Sequence, residues 1–122
     1  MKGRLPDKIR LEHILDALKT IDSFIEGLTF DEFASDLKTT FAVVKALEIV
    51  GEVANHIAAG TQALEPAIDW IAIIGLRHVL VHEYYGIRPE ILWRIITTHT
   101  VELKPKIQAG PPVRLITQLT ES

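Results

Sequence analysis

Ile74-Gly75-Leu76-Arg77-His78-Val79-Leu80-Val81-His82-Glu83-Tyr84-Tyr85-Gly86 is the stretch around which the rest of the chain is organised. Val79, Leu80 and Val81 make it apolar, while an arginine, two histidines and two tyrosines make it reactive. Preceded by Trp70, Ile71, Ile73 and Ile74, it reads as a helix that stops near Gly86. A cation beside a group that exchanges protons near neutral pH suits phosphate-ester chemistry. In a regular helix Arg77 and His82 lie about 140° apart, Arg77 and Tyr84 within about 20°, and His78 and His82 share a face. A site using Arg77 and His82 together therefore belongs at a helix end or in a groove completed by something else.

Working upstream, Asp7 is placed to cap a first helix bearing Ile14, Leu18, Ile21, Ile25 and Leu28, with Gly27 near its end. Thr29–Asp36 reads as a loop and short helix that turns Phe30 and Phe33 inward. Thr39 or Thr40 is the expected cap of a helix through Phe41, Val44, Leu47, Val50, Ala54 and Ile57, closed by Gly60. Pro66 suits the first turn of the helix that enters the central stretch. Downstream, Pro89 opens a last helix with Ile91, Leu92, Ile95, Ile96 and Leu103 on its buried side, and Pro105 ends or kinks it. The expectation is an all-α, up-and-down bundle of four main helices plus a short one. It divides into a helical domain at 1–109 and a tail at 110–122, in which Val113–Leu119 could pack as an extended arm.

A chain of 122 residues suits one domain with one core, and 48% hydrophobic residues argue against global disorder. The absence of cysteine excludes disulfides and thiolate metal sites and fits a reducing compartment. The polar start Met1–Arg10 does not read as a secretory signal, and the apolar run Trp70–Leu76 is too short to span a bilayer. A cytoplasmic protein with no membrane association is expected. The net charge of −3 argues against a protein that coats nucleic acid in bulk. Residues 1–76 carry seven Lys/Arg against twelve Asp/Glu, whereas residues 77–114 carry six against three. An anionic partner would favour the half that bears the reactive stretch.

The pattern Arg-x4-His-x-Tyr at Arg77, His82 and Tyr84, with a polar residue after the arginine, resembles the HepT-type toxins of the HEPN superfamily of helical ribonucleases. The likeness extends through Phe24-x-x-Gly27-x-x-Phe30-x-x-Phe33, Leu47-Glu48-Ile49-Val50-Gly51-Glu52 and Asp69-Trp70-Ile71-Ala72, then Gly86-Ile87 and Ile91-Leu92-Trp93, covering most of residues 10–105. It implies a HEPN-like fold and a metal-independent endoribonuclease acting on RNA, with Arg77 and His82 catalytic and no cofactor. His78 stands where the family often has Asn or Asp and is a supporting residue. The Gly51-Glu52 pair recurs in the family and puts a carboxylate near the cleft, where it could orient Arg77. The resemblance also implies a toxin–antitoxin pair, in which an MntA-like nucleotidyltransferase antitoxin forms a hetero-oligomer with the toxin and transfers AMP to Tyr84.

Metal-free RNA cleavage needs a base for the ribose 2′ proton, an acid for the leaving 5′ oxygen and a cation for the transition state. One chain with one favoured histidine is short of a group, and a two-fold homodimer would supply two His and two Arg across a shared groove. Each residue also has a plainer reading. Arg77 suits a surface cation, His82 a hydrogen-bonded structural histidine, Tyr84 and Tyr85 packing aromatics, and Glu48 and Glu52 a solvated face. His78 and His82 fit a metal-binding pair, but neither Glu83 nor His99 is placed as a third ligand, so no metal is expected. His13, His56 and His99 read as surface or structural residues. The alternative function is a non-catalytic HEPN module whose cleft holds a nucleotide or partner.

Overall fold

A computed structural model describes residues 6–83 and 86–109. Its elements are α1 (Asp7–Ile25), α2 (Phe30–Ser35), α3 (Leu37–Asn55), α4 (Ala59–Gln62), α5 (Trp70–His82), α6 (Pro89–Arg94) and α7 (Thr100–Gln108). A π-helical turn, Ile95–His99, joins α6 to α7, making one continuous rod. No strand occurs among the described residues. The all-α, HEPN-like architecture read from the sequence is the one observed. The tail at 110–122 lies outside the described residues, as do Tyr84 and Tyr85.

The core has two ends, and they establish the up-and-down course of the chain. Leu11, Ile14 and Leu18 of α1 pack with Val50, Ala54, Trp70 and Ile107 at one end. Ile21, Phe33, Val43, Leu47, Leu80, Leu92 and Ile96 fill the other. Thus α1 and α5 run one way, while α3 and the α6–α7 rod return. Phe33 is fully buried and its ring lies 5.2 Å from that of Trp93, while Phe30 meets Trp93 edge-on at 6.1 Å. The short α2 thereby plugs the second end of the bundle.

Local chemistry sets the helix ends, in several places differently from the sequence reading. Asp7 is the first helical residue and Pro6 precedes it as the cap position. The Asp7 carboxylate instead accepts from Thr61 Oγ1 (2.6 Å), Ala58 N and Arg10 Nη1, tying the start of α1 to the α3–α4 turn. Gly27 has φ +76°, a left-handed conformation that favours glycine just after α1. Thr29 and Glu32 form a reciprocal capping box on α2, at 3.2 and 2.9 Å. Asp36, rather than Thr39 or Thr40, caps α3: its carboxylate takes the Thr39 hydroxyl at 2.7 Å and the Thr39 amide. Those bonds, the hydroxyl first, hold the Asp36 carboxyl below its ordinary value.

The remaining boundaries follow the same logic. α3 ends at Asn55, and Gly60 lies inside α4. α5 begins after Asp69, whose side chain accepts from Ala72 N at 3.0 Å, so Pro66 falls in the preceding turn. It ends at His82, four residues before Gly86, with the Glu83 amide bonded to Val79 O at 2.8 Å. Pro89 occupies the first turn of α6, where its missing N–H costs nothing. Pro105 sits inside α7 and does not end it. Thr97 and Thr100 donate their hydroxyls to Trp93 O and Ile96 O, taking up carbonyls around the π turn. Ile91, expected on the buried side of its helix, is exposed, as are Phe41 and Ile71.

Candidate active site

The site begins with a close crossing of α3 and α5. A Cβ added to Gly51 would stand 2.2 Å from Arg77 Cβ, 3.1 Å from Arg77 Cγ and 3.0 Å from Ile73 O. Only a residue without a side chain lets the two backbones come this near, and the space vacated is where the Arg77 stem lies. From that seat the Arg77 Nε reaches Glu52 Oε1 at 3.2 Å. Both side chains are half-exposed, so the pair adds little to stability; what it contributes is direction. Glu52 uses its second oxygen as well, with His56 Nε2 at 3.0 Å from Oε2.

His56 was not among the residues expected at the site. Its signal lay in its spacing, four residues after Glu52 on one helix face, where a carboxylate and an imidazole meet. The cluster Glu52–His56–Arg77 therefore combines two helices, and its centre is an anion holding two nitrogen donors.

His78 and His82 form a second group on α5. Their rings lie side by side with centroids 4.4 Å apart and planes tilted by 53°. Both are exposed, and His82 is the last residue of the helix. α5 is α-helical through His82, so Arg77 and His82 keep the angular separation of a straight helix. The structure thus brings Glu52 to Arg77 and His78 to His82, and it leaves the two groups on different sides of α5. Tyr84 lies outside the described residues.

An apolar groove of about 340 Å³ lies between α3, α5 and the α6–α7 rod, where Leu47, Val50, Ile73, Leu76 and Leu103 line it. Arg77, His78 and His82 are not among its walls. On the same helix as the histidines, Ile71, Val79 and Val81 are exposed. Among the described residues no three His, Asp or Glu side chains are grouped to hold a metal ion. No helix among them is long and apolar enough to cross a membrane.

The chain is similar to known proteins over most of its length. The family described as "Ribonuclease HepT-like" matches residues 14–109. "Probable ribonuclease HepT" of Thermococcus cleftensis is 36% identical over 98 residues, which is 80% of this chain and 89% of that protein. "Putative RNase MJ1380" of Methanocaldococcus jannaschii is 30% identical over 101 residues, 83% of this chain and 93% of its own length. "Putative RNase TTE0752" of Caldanaerobacter subterraneus is 32% identical over 98 residues, 80% and 88% of the two chains. No solved structure matches. Helical architecture, the extent of the family match and the relatives' near-complete coverage agree: this chain belongs to the HepT-like ribonuclease family.

Proposed function

We propose that this protein is the toxin of a toxin–antitoxin pair, a metal-independent endoribonuclease that works as a homodimer through Arg77 and His82. The observation that carries the reading is the Gly51–Glu52–Arg77 arrangement, a guanidinium seated by close helix packing and aimed by a carboxylate. His82 stands exposed at the end of the same helix. Its imidazole takes the ribose 2′ proton or returns a proton to the leaving 5′ oxygen. The 2′ oxygen attacks the adjacent phosphorus, the P–O5′ bond breaks, and a 2′,3′-cyclic phosphate and a 5′ hydroxyl result. Arg77 stabilises the added negative charge on the phosphoryl oxygens. His78 and Glu52 support these two groups.

The dimer follows from what one chain lacks. Arg77 and His82 lie on different sides of α5, and on the same helix Ile71, Val79 and Val81 are exposed and available to be covered. Two copies of α5 packed about a two-fold axis would bury that surface, form a cleft and place both kinds of group along it. The antitoxin is an MntA-like nucleotidyltransferase that silences the toxin by transferring AMP to Tyr84. The added phosphate and base then occupy the RNA cleft.

The test is cleavage of a defined RNA by the purified chain in EDTA, with the product ends identified by mass. Cyclic phosphate ends are expected, with activity lost by at least about 10²-fold in His82→Ala. Arg77→Ala should fail likewise, and Arg77→Lys should recover only part, because a point cation lacks the planar fork. Tyr84→Phe should remain toxic when co-expressed with the antitoxin, while the wild-type chain gains the mass of AMP. Activity abolished by EDTA, or a His82→Ala chain as active as wild type, removes the assignment. A wild-type chain that cleaves no RNA and binds nucleotide instead would make it a non-catalytic member of the family.

A further inference from the structure

We infer that His78 and His82 form a two-histidine chelate for a borderline transition metal such as Zn²⁺, and that metal bound there switches off cleavage. The inference rests in its regulatory half on His82 being catalytic; the metal site itself rests only on geometry. The two imidazoles occupy successive turns of one helix face, their centroids are 4.4 Å apart, and both are exposed. Tetrahedral zinc holds two imidazole nitrogens at about 2.0–2.1 Å each, hence about 3.4 Å from one another. At a centroid separation of 4.4 Å both rings are within reach of one ion, with χ rotation turning a nitrogen of each toward it. No side chain must be extracted from the core, because neither histidine is buried. Two imidazoles on neighbouring turns are also spared most of the ordering that two separated ligands would undergo.

The surroundings suit a cation. The nearest fixed positive charge on α5, Arg77, is engaged with Glu52 and directed toward α3. No third protein ligand is grouped with the pair among the described residues, so water completes the coordination and the metal exchanges readily. A coordinated imidazole nitrogen has its lone pair committed to the metal and cannot accept a proton from a 2′ hydroxyl. Metal occupancy and proton transfer by His82 are therefore mutually exclusive. The switch exists because position 78 carries a metal-ligating side chain; Asn there would leave His82 without a partner ligand.

The experiment is calorimetric titration of the purified chain with ZnCl₂, paired with RNA cleavage with and without the same zinc and then with EDTA. Wild type should bind zinc, and His78→Asn and His82→Asn should each bind at least about tenfold more weakly. His13→Asn and His99→Asn, exposed histidines elsewhere, should bind as wild type does. Zinc should lower wild-type cleavage and EDTA restore it, whereas the ratio of rates with and without zinc should stay near one in His78→Asn, whatever that variant's own rate. Equal zinc affinity in wild type and His78→Asn overturns the site. Tight binding at the pair with undiminished wild-type cleavage overturns the switch, and a zinc-binding chain that cleaves nothing even in EDTA leaves the site standing while removing the ribonuclease reading.

Discussion

α5 has two faces of similar composition and opposite fate. The inner face carries Trp70 and Leu80 into the core and lays the Arg77 stem on Gly51. The outer face carries Ile71 at 86% exposure, with Val79, Val81 and both histidines also open. Apolar residues on the inner face stabilise the fold, because their contacts exist within one chain. Those on the outer face are left uncovered by the described residues, and the homodimer proposed above would cover them. The comparison separates residues that make the domain from residues left open to a partner, and the candidate site draws on both faces.

The sharpest way to test that division is to truncate the inner face. Leu80→Ala removes a fully buried side chain between α1, α3 and the α6–α7 rod and should cost about 2–5 kcal/mol in denaturant unfolding. A loss no larger than that of an outer-face truncation would erase the distinction. Next, Gly51→Ala probes the crossing itself. Alanine favours a helix by about 1 kcal/mol over glycine, yet here its Cβ meets Arg77 Cβ and the Ile73 carbonyl, so net destabilisation of about 1–3 kcal/mol is expected. A more stable Gly51→Ala protein would mean that α3 and α5 are not so close.

Glu52→Gln should change stability by less than about 1 kcal/mol, since the pair is half-exposed, while lowering RNA cleavage by releasing Arg77. Unchanged cleavage would deny Glu52 its orienting role. On the outer face, Ile71→Ser should shift the unfolding of the single chain by only about 0.5 kcal/mol or less. Light scattering should nevertheless report weaker dimerisation, and an unchanged dimer would move the interface elsewhere. The smallest effect concerns the start of α3. The depressed Asp36 carboxyl contributes stability that is present above its ordinary value of 3.8 and is lost as pH falls through the lower folded value. Asp36→Ala should flatten that part of the acid limb in urea midpoints measured against pH.

Much of this was legible in the residues. Apolar spacing in α1, α3 and α5 and Pro89 at a first turn are local signals, and each element formed where its signal stood. Arg77, His78 and His82 stood out by type and order in an apolar stretch, while Glu52 and the supporting role of His78 came from the family resemblance. Helix ends were less legible where two residues competed: Asp36 outcompetes Thr39 for the cap because its carboxylate can take both the Thr39 hydroxyl and the amide. Pro105 stays within α7, and the rod changes its hydrogen-bond register at Ile95–His99 rather than breaking at the proline.

Sequence alone determined the helical period, the order of the elements and the inventory of reactive groups, because these depend on neighbours within a few positions. Only the tertiary structure decided that Gly51 is a contact point for Arg77, that Glu52 holds Arg77 and His56 together, and that Ile71 faces outward. Those facts depend on where α3 meets α5. That crossing is set by core packing over the whole bundle, and no local pattern in either helix encodes it.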